Sequence, residues 1–460
     1  MGCTRSLSRI LGDRACVFAL LFALTFPSYV WGAFATQFSF TTGEAYSDNI
    51  FFSKDRDHDF ITFFTPTLTL LYAPEGQVSP TLNVNVSPRY EIYARHSDLN
   101  NFDNIAANAG YTYQYSPRLN FYLSDTFQRQ GKTRTSLIAP GQFTTAPTLA
   151  PQISGVSTPS PSQNLKDLTS AGTQITNSVA LFGAFLYRPD VMFTAGYTNS
   201  LANFIDAGGT DVFHTIDLRG IYNWRQDHNL HAGYTLSIGK ARNGENSVIH
   251  NFDFGDSYFT NYNIQLTPTL SLAARTGLSL NIGNGPRVAN STHLQITKLW
   301  ETAELNGGVT KELTPSFGIS GISNTTSLFA NFNWRLSEKL SATSSANFSF
   351  WDTDDVNFKT FQAGLGFQYL FTSWLSSGIN YYFNWINSGA GAESTDFLQR
   401  GVVKSNGVFA TMTVRFDVWP NTGLARTMSS PALSAIPTLL PPFSTQAPKP
   451  VPTQGPQPVP

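Results

Sequence analysis

This chain has very little cysteine. Among its 460 residues only Cys3 and Cys16 are cysteines, and both lie within the first 35 residues. A mature chain that began after residue 35 would have no thiol, which excludes disulfide bonds and thiolate metal sites from it. Any rigidity it has must come from the fold itself.

Charge is also scarce and balanced. Charged residues make up 13% of the chain, against roughly 25% in ordinary globular proteins. The 29 basic residues are matched by 30 acidic ones. A nucleic-acid or polyanion binder shows a basic excess, so we expect no nucleic-acid partner.

Long apolar runs are missing beyond the N-terminal segment. None approaches the roughly 20 residues that a membrane-spanning helix requires. Aromatic residues, by contrast, reach 14% of the chain. Membrane residence would therefore have to come from β-strands, whose alternating pattern is weak in a hydropathy average.

The first 35 residues have the layout of a secretory signal peptide. A basic segment precedes the apolar run Val17–Phe26 and the small-residue site Ala33–Ala35. The apolar run is too short for a membrane anchor. We therefore expect export, with residues 1–35 removed by cleavage near Ala35.

Strict alternation of apolar and polar residues dominates the rest of the chain. In the segment Thr81–Arg95, Leu82 and Val84 share one face of a strand, whereas Arg89 and Glu91 share the other. The hairpin within residues 111–130 repeats the pattern around a Pro-containing turn. A strand with lipid on one side and water on the other has this pattern.

Continuing this reading, we count 18 strands between residues 36 and 420, including Thr36–Tyr46, Tyr258–Leu266 and Gly407–Val418. Short turns alternate with longer polar loops, as in outer-membrane barrels. The sequence thus predicts an all-β fold, a transmembrane antiparallel β-barrel of about 18 strands. The hairpins recur at intervals of 35–40 residues. Repeats of that length also occur in β-propellers, but no propeller-blade signature recurs in this chain.

Two segments depart from the strand pattern. Residues 131–171 form the longest break and are rich in Pro, Ser, Thr and Ala, which predicts a long extracellular or pore-folding loop. Residues 421–460 are rich in proline and nearly uncharged. We expect this C-terminal tail to be disordered, either as a solvated periplasmic extension or as a Pro-rich ligand for a periplasmic partner.

Catalytic and metal-binding signatures are absent. The sequence has no Gly-x-Ser-x-Gly elbow and no pair of histidines at metal-ligand spacing on a helix. Asp48, Asp55, Asp57 and Asp59 form an acidic loop without EF-hand spacing, which favours a solvated loop over a Ca²⁺ site. We predict no enzymatic activity, no metal and no cofactor.

The polar face of the strands is the remaining candidate for function. Its charged members would line a water-filled lumen and favour hydrated solutes, or would only form ion pairs between strands. These lumen candidates are Arg89, Glu91, Arg95, Asp217, Arg219, Arg275, Arg335, Arg415 and Asp417.

Three tyrosines, Tyr93, Tyr122 and Tyr382, fall on the same polar face. Aromatic ring faces suit sugar rings, so these residues are candidates for saccharide stacking. The alternative is that they belong to the aromatic girdles that outer-membrane barrels carry at both membrane interfaces.

One stretch resembles a known family. The segment Tyr46–Ile50 (YSDNI), followed by Asp59–Thr62 (DFIT) and Pro66, is similar to the opening of the β-barrel porin 2 family. The resemblance covers roughly residues 36–419 and implies an 18-stranded channel, with polysaccharide as one solute, since the family includes barrels associated with exopolysaccharide export. It carries over no functional residue. The tail is a departure, because such barrels usually end at the last strand.

These observations predict a bacterial outer-membrane channel for hydrophilic solutes, with polysaccharide export as the specific version. Its expected partners are outer-membrane lipid, the barrel-assembly machinery and a hydrophilic or saccharide solute. The alternative is a non-conducting structural or assembly barrel that displays surface loops and anchors the tail to a periplasmic partner.

Overall fold

Eighteen β-strands make up nearly the whole of the described chain. The computed structural model describes residues 32–74, 81–131, 173–206, 208–225, 228–240, 246–256, 270–282, 287–315, 322–353, 357–389 and 401–419. The predicted tail at residues 421–460 and almost all of the predicted loop at residues 131–171 lie outside these ranges.

Most strands are 12 to 16 residues long, and one short 3-10 helix, Ser97–Leu99, follows the third of them. The strands in chain order are β1 Gly32–Ser47, β2 Asp59–Pro74, β3 Thr81–Tyr93, β4 Asn101–Ser116, β5 Leu119–Gln130, β6 Gln174–Arg188, β7 Val191–Phe204, β8 Thr210–Arg225, β9 His228–Lys240, β10 Asn246–Asp256, β11 Leu270–Asn281, β12 Arg287–Leu299, β13 Ala303–Pro315, β14 Ile322–Arg335, β15 Leu340–Asp352, β16 Asn357–Leu370, β17 Leu375–Ser388 and β18 Gly401–Trp419.

The sheet closes on itself. Each strand pairs antiparallel with its neighbours in the chain, and β1 also pairs with β18 from Thr36↔Trp419 to Ser47↔Gly407. Closure removes the free edges that a strand would otherwise expose. The predicted all-β antiparallel barrel of 18 strands is confirmed.

The placement of the tenth strand is wrong. β10 is Asn246–Asp256 and pairs with both β9 and β11, whereas the predicted strand Tyr258–Leu266 lies outside the described residues. The prediction placed the strand directly before the Pro-containing turn at residues 267–269 because other hairpins have their strands beside such turns. The signal for β10 is the alternation of Phe252 and Phe254 with Asn251 and Asp253.

Several strand ends also differ from the prediction. β1 begins at Gly32, with Gly32 paired to Pro74 and Ala35 to Leu71. The predicted cleavage site therefore lies inside this strand, and cleavage there would leave β1 to begin at Thr36. β18 begins at Gly401 rather than Gly407, because the ladder to β17 extends to Ser388.

The two ends of the barrel are connected differently. One end, here called the turn end, carries tight connections such as that between β4 and β5 at residues 117–118. The opposite end, the loop end, carries the β1–β2 loop at residues 48–58. The predicted separation of short turns at one end from longer loops at the other has an exception. The loop-end connection at residues 241–245 is shorter than the turn-end connection at residues 257–269.

The outer face of the barrel is apolar and exposed. Leu68, Leu181, Leu218 and Ile379 are between 42% and 53% exposed although each lies within a strand. In water such a surface would be unfavourable, because each side chain forgoes the free energy of burial. Lipid contact removes that cost.

Aromatic side chains border this apolar face at both ends. At the turn end Phe38 stacks on Phe416 with ring centroids 6.4 Å apart. At the loop end the rings of Tyr46 and Phe60 lie 5.0 Å apart. Two girdles of aromatic side chains, one on each side of an apolar band, are typical of barrels that span a bilayer.

The outer face of β5 to β8 also carries polar groups, and these are hydrogen-bonded to each other. The Asn177 side-chain amide donates to the Asp125 carboxylate over 2.7 Å. The Tyr197 hydroxyl lies 2.9 Å from Nδ1 of His214. Pairing of this kind lowers the cost of placing polar groups in an apolar surrounding.

Among the described residues, no helix is long and apolar enough to cross a membrane.

Candidate functional site: the inner wall and the loop-end mouth

The inner wall consists of the side chains that alternate with the exposed apolar set. On β3 the Asn85 amide donates to the Thr69 hydroxyl over 2.9 Å, and Ser87 lies 3.0 Å from the hydroxyl of Thr67. These residues share the face of Arg89 and Glu91. The predicted division of β3 into an apolar outer face and a polar inner face matches this arrangement.

Part of the inner wall is open to solvent. Asn108 on β4 and Thr126 on β5 are directly paired across the ladder and both are exposed. Thr343 and Gln368 are exposed on the inner faces of β15 and β16. The interior of the barrel therefore presents amide and hydroxyl groups to water.

Arg89 and Glu91 form a buried ion pair on this wall. Nε of Arg89 lies 2.8 Å from Oε1 of Glu91, and the two side chains are 7% and 1% exposed. The Tyr93 hydroxyl donates to Oε2 of Glu91 over 2.6 Å. The Arg89 guanidinium carbon sits 4.0 Å from the centroid of the Phe63 ring, a cation–π contact. This charge is therefore neutralised within the wall.

A second charged group links β8 to β10. Arg219 Nη2 lies 3.4 Å from Asp217 Oδ2 and 3.3 Å from Asp253 Oδ2, and Thr235 donates to Asp217 over 2.8 Å. Gly233 lies on the intervening strand opposite Asp253, and a Cβ there would be 2.6 Å from Asp253 Oδ1. The absence of a side chain at Gly233 thus leaves room for the Asp253 carboxylate.

The other predicted lumen residues are scattered. Arg95 is not on a strand: it is exposed and lies beyond the end of β3, where its backbone N–H donates to Asp59. Arg335 is the exposed last residue of β14, at the turn end. Arg415 is half-buried on β18. Arg275 and Asp417 belong to β11 and β18, but their side chains are not among those that the structure describes.

The three candidate tyrosines are buried, with exposures of 2% for Tyr93, 6% for Tyr122 and 2% for Tyr382. The ring of Tyr382 lies directly over Gly407, where any Cβ would overlap it. Buried rings offer no free face to a sugar in this structure, so the expectation of stacking on open ring faces is not met. Nor do these rings belong to the exposed aromatic girdles of the outer wall.

Tyr93 and Tyr382 instead belong to an apolar group at the loop end. We call it the mouth cluster; its buried members are Ala45, Ile50, Ile61, Phe63, Tyr93, Tyr382 and Phe409, and Leu99 packs against it. Most members lie on the inner faces of the strands next to the β1–β18 closure. Ile50 comes from the β1–β2 loop, so this loop folds into the mouth of the barrel.

Hydrogen bonds hold the start of the loop against β18. The Asn49 side-chain amide donates to the carbonyl oxygens of Lys404, over 2.9 Å, and Ser53, over 2.6 Å. The Asn406 side-chain amide donates to Asp48 over 2.9 Å. The loop then tightens at Phe52, whose φ of 50° is unusual for a residue other than glycine.

The far end of the loop is joined to the β3–β4 connection through His96. Nδ1 of His96 lies 2.8 Å from Asp59 Oδ2, and Nε2 lies 2.9 Å from Asp57 Oδ2. Asp59 is fully buried and also accepts the backbone N–H groups of Phe60, Arg95 and His96. The hydrogen bond to Asp59, opposed by partial desolvation and assisted by Asp57, raises the pKa of His96 above its ordinary value of 6.5.

The sequence pattern does not reveal this group. The acidic loop is solvated as expected at the exposed Asp55, but Asp59 is buried. The sequence separation of His96 from the loop concealed the contact, which only the β2–β3 register creates. Among the described residues, no group of three or more His, Cys, Asp or Glu side chains is arranged to hold a metal ion.

No protein-family model and no curated protein matches this sequence. Solved structures of outer-membrane proteins show distant likeness. The Pseudomonas aeruginosa OccK2 (OpdF) complex with glucuronate has a TM-score of 0.43 at 8% identity, covering 84% of this chain and 98% of that one. The outer-membrane protein OpdK of P. aeruginosa scores 0.41 at 10%, covering 84% and 99%. The anion-selective porin from Comamonas acidovorans scores 0.37 at 11%, covering 84% and 100%.

Proposed function

We propose that this chain is a bacterial outer-membrane channel that passes hydrophilic solutes. The observation that carries the proposal is the division of the closed barrel into two faces. Its outer wall is apolar, exposed and bordered by aromatic rings, whereas Asn108, Thr126, Thr343 and Gln368 are exposed on the inner wall. A bilayer matches the first face and water matches the second. Export through a signal peptide cleaved near Ala35 belongs to the same proposal.

The specific version of the proposal is a saccharide path. Support comes from two ion-paired groups of the inner wall: Arg89 with Glu91, and Arg219 with Asp217 and Asp253. Ion pairing weakens the field that these charges present to an ion, while exposed amides and hydroxyls hydrogen-bond neutral hydroxyl-rich solutes. The family resemblance of the β1–β2 region points the same way.

Planar-bilayer recording of the refolded chain from Thr36 onwards tests the channel. We expect discrete conductance steps from that chain, and retained or larger steps after deletion of residues 132–171. A matched preparation denatured before addition is the control. Absence of conductance from both folded forms would leave the alternative, a non-conducting barrel that displays its loops.

Liposome swelling tests the saccharide version separately. Vesicles containing the chain are expected to swell in neutral oligosaccharides faster than in charged solutes of equal size. Equal rates for both solutes would contradict the saccharide preference without affecting the channel itself.

A further inference from the structure

We propose that His96, Asp57 and Asp59 form a pH-operated latch that holds the β1–β2 loop inside the mouth of the barrel. Protonation of His96 closes the latch, and loss of that proton releases the loop. The latch rests on the described contacts alone, and its effect on conductance rests also on the proposed channel function.

The geometry at His96 requires its cationic form. Both ring nitrogens lie within 2.9 Å of a carboxylate oxygen, and ionised carboxylates only accept hydrogen bonds. A neutral imidazole has one N–H and one lone pair, so it satisfies one carboxylate and repels the other. Only imidazolium donates to Asp57 and Asp59 together.

The two carboxylates are not equally free to move. Asp59 has an unexposed side chain and is held by three backbone N–H groups. Asp57 is 44% exposed and lies in the loop. Deprotonation therefore removes the proton from Nε2 of His96, while Nδ1–H keeps its hydrogen bond to Asp59. The Nε2 lone pair then repels the Asp57 carboxylate, and Asp57 moves away.

Movement of Asp57 reaches the mouth cluster through one backbone contact. The Asp57 carbonyl oxygen accepts the N–H of Ile50 over 2.8 Å, and Ile50 is only 1% exposed within the cluster. The Phe51 ring also packs edge-on against His96, with centroids 5.6 Å apart. Losing the latch thus loosens the loop segment that occupies the mouth.

The charged groups around His96 define the direction of the effect. Asp57 faces it from the β1–β2 loop and Asp59 from the start of β2, and these carboxylates are the Coulombic influences on it. Arg95 and Asp98, on its own connection, are both exposed. Because the pKa of His96 is raised in the closed state, the latch is fully engaged below 6.5 and is lost as the pH rises through that higher pKa.

Cysteine accessibility of the loop tests the latch. The variant Ile50→Cys places the only thiol of the mature chain at a buried position, and an exposed Asp98→Cys variant corrects for the intrinsic pH dependence of the maleimide reaction. We expect the corrected labelling rate to rise between pH 5 and pH 8.5. Each unit of raised pKa permits about a tenfold change in the closed-to-open ratio.

Two further variants make the test specific. Asp57→Asn combined with Ile50→Cys should label slowly at both pH values, because an amide either donates to or accepts from Nε2. The substitution His58→Gln should leave the pH response unchanged. His58 is a neighbouring histidine whose ring lies against Tyr46. A corrected rate independent of pH, or one that still rises in the Asp57→Asn chain, would overturn the latch.

Conductance separates this inference from the proposed function. A chain that labels in a pH-dependent way but conducts at no pH has a latch and no channel. A chain that conducts equally at pH 5 and pH 8.5, with constant labelling, has a channel and no latch.

Discussion

Ion pairs of the inner wall and of the β1–β2 loop differ sharply in exposure. The side chains of Arg89 and Glu91 are each less than a tenth exposed, whereas Arg56, 3.4 Å from Asp48 at the loop end, is 52% exposed. Removing one member of a buried pair leaves an uncompensated charge in a low dielectric. Exposed pairs are screened by water and contribute little.

The variant Glu91→Gln is therefore expected to destabilise the barrel by about 3–5 kcal/mol, because Arg89 loses its counter-charge while remaining buried. Urea unfolding in detergent, followed by tryptophan fluorescence, measures the change. The control Arg56→Ala should cost at most about 1 kcal/mol. Equal, small losses in both variants would mean that Arg89 reaches water in the folded barrel.

Individual strands determine which residues meet lipid and which meet the lumen. Leu181 on β6 is 48% exposed on the outer face, and Asn108 on β4 is exposed on the inner face. Both side chains are exposed. A bilayer outside and water inside would nevertheless make them respond oppositely to a charge.

Leu181→Arg is expected to destabilise the folded barrel in bilayers by about 2–4 kcal/mol, since it places a guanidinium against hydrocarbon. Asn108→Arg should change stability by no more than about 0.5 kcal/mol. Refolding into lipid vesicles over a urea series compares the two. If both substitutions were equally harmless, the outer wall would not face lipid.

Most strands could be predicted because alternation is a local property of the sequence. β5, for example, runs from Leu119 to Gln130 as its pattern indicates. β10 differs from the prediction because Ile249, directly after Val248, interrupts the alternation in its first half. The His96 contacts were beyond prediction, since they depend on register: the Ile61↔Tyr93 pair sets the β3–β4 connection beside Asp59. Burial of Tyr382 likewise depends on Gly407 of the adjacent strand.

At the scale of the whole molecule, the barrel depends on pairing between strands at opposite ends of the chain. Thr41 of β1 and Thr413 of β18 are directly paired, and their hydroxyl oxygens lie 2.9 Å apart. This pairing converts a sheet with two open edges into a closed wall. Among the described strands, the β1–β18 pairing joins the residues that lie farthest apart in sequence, so we expect it to form late in folding.

A disulfide between these two positions tests closure directly. Cα atoms of paired cross-strand residues lie about 4.5–5.5 Å apart, within the range that a disulfide bridges, and a chain that starts at Thr36 has no other cysteine. In the double variant Thr41→Cys with Thr413→Cys, oxidation should link the chain nearly end to end. The oxidised chain, boiled in detergent, should then migrate differently from the reduced one. Thr41→Cys with Thr126→Cys, which joins β1 to the non-adjacent β5, is the matched control and should remain reduced. Cross-linking of both pairs, or of neither, would contradict a closed barrel with this register.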